Sequence, residues 1–288
     1  MKNFAITMIG KTGLPLLLSL WIITHIGCNT NNKQVPTQTK ENKPVDTKDS
    51  LPVMADAATI LNRPEVPILC YHRLRDFRST DSKRARDYIV PGAMFVDQIK
   101  LLADSGYHTI LPGELYQWLA YGKPLPSKPI MITFDDTHVD QYKIGLPELN
   151  KYGFKGVFFI MTVSLGRPGY MNREQVKQLA DEGHVISSHT WDHKNVKIYT
   201  EEDWPVQVEK PVKQIEAITG KPVQYFAYPF GLWNKEAIVK IKQYGFKAAF
   251  QLSAQRDEND PLFTIRRIIV PGEWSAATML KYLKHSFK

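Results

Sequence analysis

Pro129 to Asp136 reads PIMITFDD. Ile130, Met131, Ile132 and Phe134 make an apolar run long enough for one buried strand and too short for a typical helix. It ends in two adjacent carboxylates, Asp135 and Asp136. In a parallel sheet or barrel, side chains at the C-terminal end of a strand face the ligand-binding side. Successive strand residues point in opposite directions, so the two acids leave the strand with different aims. One is suited to hold a metal and the other to carry a proton, although the stretch alone fits two solvated acids equally well.

On either side of this stretch one unit recurs: a short apolar strand, an amphipathic helix, a glycine, then another strand. The strands are expected at Pro67–Tyr71, Ile130–Phe134, Gly156–Met161, His184–Ser188, Tyr225–Tyr228, Lys247–Gln251 and Phe263–Val270. Helices are expected at Met94–Asp104, Gly113–Ala120, Gly145–Lys151, Arg173–Asp181, Val206–Ile218 and Lys235–Gln243. Gly106, Gly153, Gly183, Gly220 and Gly245 each follow a periodic run, as a left-handed helix stop does. Asn172 and Asn234 stand where N-caps belong. Strands alternating with helices argue for parallel pairing through crossovers. About seven units favour a single α/β barrel over separate domains, with an open doubly wound sheet as the alternative.

The chain has 288 residues, 43% of them hydrophobic, and a formal net charge of +8. No Lys/Arg-rich block of the nucleic-acid-binding kind accompanies that charge, and an anionic envelope polymer would account for it as well. Lys2 and Lys11 precede Leu14–Gly27, an apolar run of signal-peptide length that is short for a membrane span. Gly27-Cys28 closes it and resembles a bacterial lipoprotein signal over residues 1–28, with His25 where such signals prefer Leu. In that reading Cys28 is lipidated, a membrane is a partner, and the protein belongs to the cell envelope; an ordinary signal peptide or an uncleaved anchor is the alternative. From Asn29 the chain turns polar and nearly free of large apolar side chains. Residues 29–63 therefore read as a disordered tether, ahead of a folded domain over 64–288. Cys70, the second of two cysteines, sits in an apolar strand and reads as core.

Two further strand ends carry histidines. Ser187–Asn195 reads SSHTWDHKN, and on a helical turn the spacing of His189 and His193 would set both imidazoles on one face. Two imidazoles and one carboxylate make a three-ligand open metal site; an isolated H-x3-H is more often two exposed histidines, and Asp135-Asp136 at another strand end tips the balance towards a metal. Pro67–Leu74 (PILCYHRL) ends in His72, which in a barrel opens onto the rim that holds Asp135, Asp136 and His189. Phe226–Gly231 (FAYPFG) shapes a loop whose rings could line a groove.

In this order, TFDD, H-T-x-x-H and FAYPFG resemble the motifs of the polysaccharide deacetylase (NodB-homology, carbohydrate esterase 4) family, over about residues 64 to 275. The resemblance implies a distorted (β/α)7 barrel as a single catalytic domain. It implies Asp135 as general base and Asp136, His189 and His193 as ligands of a divalent metal: zinc, cobalt, nickel or iron. The Tyr71-His72 motif makes the chain most similar to the deacetylases acting on poly-β-1,6-N-acetylglucosamine in biofilms, and so implies His72 as general acid. Hydrolysis of an N-acetyl group would follow, with the metal polarising the carbonyl and a backbone N–H near Tyr228 helping to hold the oxyanion. A peptidoglycan or chitin-type deacetylase and an inactive glycan-binding lipoprotein are the competing readings. The expected partner is an N-acetylglucosamine polysaccharide and not nucleic acid, with the protein a monomer. Two departures stand out: Thr137 replaces the usual Gly after the aspartates, and Ala227 replaces the usual Arg of the third motif. Whatever orients Asp135 must then come from elsewhere, and Arg266 or Arg267 is nominated.

Overall fold

A computed structural model describes residues 53–252 and 255–287. The chain divides after Asp49 into two units, and the described residues all belong to the second. The expected signal peptide, Cys28 and residues 29–52 of the expected tether lie outside them. Among the described residues, seven parallel strands form a curled sheet: β1 (Ile68–Tyr71), β2 (Pro129–Asp135), β3 (Gly156–Ile160), β4 (Val185–Ser188), β5 (Tyr225–Ala227), β6 (Ala248–Phe250) and β7 (Ile268–Ile269). They neighbour one another in chain order, with β7 returning to lie beside β1. The segment before β7 also bonds to β6, where Phe250 and Ile265 bridge in parallel, so one stretch closes the curl. This is the expected distorted (β/α)7 barrel. His108–Thr109 pairs with the start of β2 as a short extra strand.

Strands β1 to β6 are buried on both faces, which is why they read as continuous apolar runs rather than alternating ones, whereas β7 is half-buried. Every residue of β2 after Pro129 is buried. In the core, Phe134 stacks on Phe158 with centroids 4.7 Å apart, and Tyr71 sets its ring edge-on to Phe95 at 5.1 Å. Burying one such aromatic contributes about 1.5–3 kcal/mol. The five stop glycines all adopt positive φ, between 66° and 90°. Asn172 and Asn234 accept from the N–H groups of Gln175 and Ala237 as N-caps.

Several boundaries differ from expectation. The tether gives way to a helix at Ala57–Asn62, because Asp56 caps it and Ile60 buries against the barrel. The last strand shrinks to two residues, preceded by a 3-10 turn at Pro261–Phe263. The polar C-terminal segment forms a helix, Ala276–Ser286, which buries Met279 and Leu283 four residues apart and leaves its lysines outside. Two helices begin as π-turns, Gln141–Gly145 and Pro205–Glu209. After β1 the chain makes an excursion in which Arg73–Leu74 pairs with Ile89–Val90 around a single helical turn, Lys83–Arg86. No described helix is long and apolar enough to cross a membrane.

Candidate active site

The expected residues converge at the C-terminal ends of β1, β2 and β4. Asp135 is the last residue of β2, 1% exposed. Its carboxylate meets a guanidinium in a two-pronged ion pair: Arg267 Nη1 is 2.7 Å from Oδ1 and Nη2 is 2.8 Å from Oδ2. Arg267 is fully buried, donates also to Thr133 Oγ1 (3.1 Å), and lies over the Phe159 ring at 5.1 Å. Burial alone would push the Asp135 carboxyl up. The Arg267 guanidinium, with His189 and His72, outweighs it and holds the group well below the usual carboxylate range. Of the two nominated arginines, Arg267 fills the role, while Arg266 turns outward to Glu65 at 2.7 Å.

Asp136 follows with φ of 72°, and Thr137 with 67°. This left-handed pair swings the second carboxylate away from the first and towards His189 and His193. Asp136 Oδ1 lies 3.5 Å from His189 Nε2 and 3.6 Å from His193 Nε2. The helical turn expected to align the histidines is absent. Residues 189–193 form a loop in which Thr190 and His193 have φ of 67° and 66°, and it brings the rings to 4.8 Å between centroids.

These three side chains suit a divalent cation for a specific reason. His189 Nδ1 sits 2.8 Å from the Ala227 carbonyl oxygen and must donate to it, which leaves a lone pair on Nε2. Burial pushes His189 down to about 3, so the ring is neutral. A carboxylate oxygen and an imidazole lone pair thus face each other, both buried and without a hydrogen-bond partner among the described residues. Two facing acceptors repel unless a cation lies between them. Their separations match the roughly 3.3–3.6 Å expected between ligands about 2.0–2.2 Å from one metal.

His72 emerges just past β1, 7% exposed, with the Tyr88 ring edge-on at 4.9 Å. A ring nitrogen of His72, a carboxylate oxygen of Asp135 and the Cys70 sulfur lie within 4.8 Å of one another. Together with Asp136, His189 and His193 they open into a cleft of about 240 Å³, walled by Arg84 and Tyr88 on one side and Phe230 and Leu252 on the other. A larger cavity of about 510 Å³, lined by Leu111, His184 and Tyr225, gathers no comparable cluster of acids and histidines.

Residues 122–249 match the family model described as polysaccharide deacetylase. Over that segment, which holds Asp135, Asp136, His189 and His193, the chain is similar to the polysaccharide deacetylase family. It is 29% identical over 223 residues, 76% of either chain, to YxkH of Bacillus subtilis (strain 168), assigned as a polysaccharide deacetylase. It is 26% identical over 230 residues, 71% of this chain and 78% of the other, to a poly-beta-1,6-N-acetyl-D-glucosamine N-deacetylase of Staphylococcus aureus (strain MRSA252). Its fold is that of the Streptococcus pyogenes deacetylase PplD solved with acetate, with TM-score 0.68, 21% identity, and coverage of 77% and 99%. IcaB from Ammonifex degensii gives TM-score 0.65 at 24% identity over 77% and 98% of the two chains.

Two features of the site were not legible in the sequence. The Tyr228 N–H, in the segment read as an oxyanion donor, is already given to Phe250 O at 3.0 Å. Phe230, from the same motif, lines the cleft as its ring was expected to, 58% exposed at the rim and 4.3 Å from the ring of His193. Its φ of 60° and the turn at Gly231 explain the projection. A Cβ at Gly231 would meet Leu252 at 2.6 Å, so only glycine allows this loop to close on the cleft wall. Arg84 and Tyr88, which also line the cleft, carry no motif in the sequence, because the excursion that bears them is a polar stretch without a strand or helix period.

Proposed function

We propose that this protein is a polysaccharide deacetylase that hydrolyses the N-acetyl groups of an N-acetylglucosamine polymer, with poly-β-1,6-N-acetylglucosamine as the substrate and a divalent metal at Asp136, His189 and His193. The observation that carries the reading is the division of labour between the two adjacent acids. Asp135 is tied to a buried arginine, and Asp136 faces two imidazoles across a cation-sized gap. The name of the Staphylococcus aureus relative and the Tyr71-His72 motif favour the β-1,6 linkage.

Asp135, kept ionised by Arg267, retains lone pairs able to accept a proton from the attacking water. His72 stands close enough to the same point to donate a proton to the departing amine nitrogen, which leaves poorly as an anion. Water adds to the carbonyl carbon, the C–N bond breaks, and acetate and a free amine result. A divalent cation at the three-residue site supplies Lewis acidity towards the carbonyl oxygen and lowers the pKa of water. Phe230 and Tyr88 offer rings on either side of the cleft for the apolar faces of a sugar.

Acetate release from β-1,6- and β-1,4-linked N-acetylglucosamine oligomers, each assayed with zinc, cobalt, nickel and iron, tests the substrate. Faster turnover of the β-1,6 series is expected, and preference for the β-1,4 series would make this a peptidoglycan or chitin-type enzyme. The same proposal places the protein at the cell envelope through lipid on Cys28. Cys28→Ser should move it from the membrane to the soluble fraction and abolish labelling by a fatty acid; unchanged fractionation and labelling would refute the anchor.

A further inference from the structure

We propose that Gln141 is a positioning residue that sets the spacing of the acid and the base by bridging the two backbones that carry them. The inference rests on the catalytic roles given above to His72 and Asp135. The β1–β2 ladder ends at the pair Tyr71 and Phe134, one residue before both groups. Beyond it the strands part: Asp135 continues in register with Phe159 of β3, while the chain after His72 leaves to pair Arg73 with Ile89. No ladder bond joins the two residues whose separation the chemistry depends on.

Gln141 supplies that link. It is fully buried, and its side-chain Nε2 lies 2.7 Å from the His72 carbonyl oxygen and 2.5 Å from the Asp135 carbonyl oxygen. A carboxamide nitrogen has two N–H donors, one for each carbonyl. With both neighbours acceptors, only this orientation of the amide satisfies them. The Gln141 Oε1 has no hydrogen-bond partner among the described residues, so the side chain is held by its nitrogen alone. Local backbone explains how it arrives there. The left-handed Asp136 and Thr137 reverse the chain directly after Asp135, and Gln141 opens the π-turn that starts the next helix. Such turns cluster at functional sites. Both hydrogen bonds of the Gln141 amide go to the carbonyls of His72 and Asp135 and none to the side chains of Asp136, His189 or His193, so the bridge acts on acid–base geometry rather than on metal retention.

Gln141→Met keeps length and volume but removes both donors. Misplacement of reacting groups by about 1 Å costs on the order of 10²-fold. The expected result is a kcat about 10–100-fold lower on the N-acetylglucosamine oligomer, with KM within about two-fold and bound metal unchanged. A structural defect alone would lower the active fraction and the metal content together. Asp135→Asn and His72→Ala are assayed alongside. If both are inactive while Gln141→Met keeps kcat within two-fold of wild type, the bridge is refuted and the catalytic roles stand. If either control turns over normally, the catalytic reading itself fails and this inference with it. Should Gln141→Met not fold, the wild-type protein decides. Scalar couplings across hydrogen bonds from Gln141 Nε2 to the carbonyl carbons of His72 and Asp135 are expected in isotope-labelled protein, and absence of both overturns the proposal.

Discussion

Arg267→Met is expected to destabilise the fold by about 3–5 kcal/mol at neutral pH, the usual cost of leaving one partner of a buried ion pair uncompensated. Deacetylation should slow by about 10²-fold or more, within the range lost when a general base is disabled. The reason lies in what surrounds Asp135: burial opposes its charge, and Arg267 supplies the main compensation. In the wild-type protein the folded carboxyl titrates below its unfolded value of about 3.9. Its contribution to stability is therefore present above that pH and lost only as pH falls through the folded value. Without Arg267, burial sets the direction and the folded carboxyl titrates above about 3.9. The stability deficit of the variant is then largest at neutral pH and shrinks as the solution is acidified and Asp135 takes up a proton. Urea unfolding at pH 7 and pH 5 measures this directly. A deficit of the same size at both values would mean that Asp135 is not the group Arg267 compensates. Arg267→Lys should recover only part of the loss, because one ammonium cannot reproduce two parallel N–H···O contacts.

Removal of a metal ligand should have an effect as large and of a different kind. Asp136→Asn suits the test, since Asn tolerates the left-handed backbone at φ of 72° and the loop should keep its shape. Both Asp136→Asn and His189→Ala are expected to lose bound metal and to lower acetate release by about 10³-fold or more, equivalent to several kcal/mol of transition-state stabilisation. Asp135→Asn should retain the metal and lose the rate. Metal content by elemental analysis and acetate by enzymatic assay separate the two classes. Full activity in metal-depleted Asp136→Asn would dismiss the metal mechanism.

The amino-acid sequence by itself determined the architecture and the chemical inventory of the site. Strands buried on both faces appear as short apolar runs, and stop glycines and Asn caps mark helix ends, because these signals are local consequences of burial and backbone geometry. Hence six of the seven strands stand within one or two residues of where PIMITFDD and its counterparts place them. Asp135, Asp136, His72, His189 and His193 were readable because each lies at or just past a strand end. What only the tertiary structure decided was how those groups are held. Arg266 and Arg267 are neighbours of the same type, and only the barrel's closure turns one towards Glu65 and the other into the core. The histidines meet through left-handed loop residues rather than a helical period, and Gln141 reaches the carbonyls of two residues 69 and 6 positions away along the chain. Such partners are chosen by the three-dimensional approach of groups that share no local periodic pattern, so even those only four or six residues apart are not announced by the sequence between them.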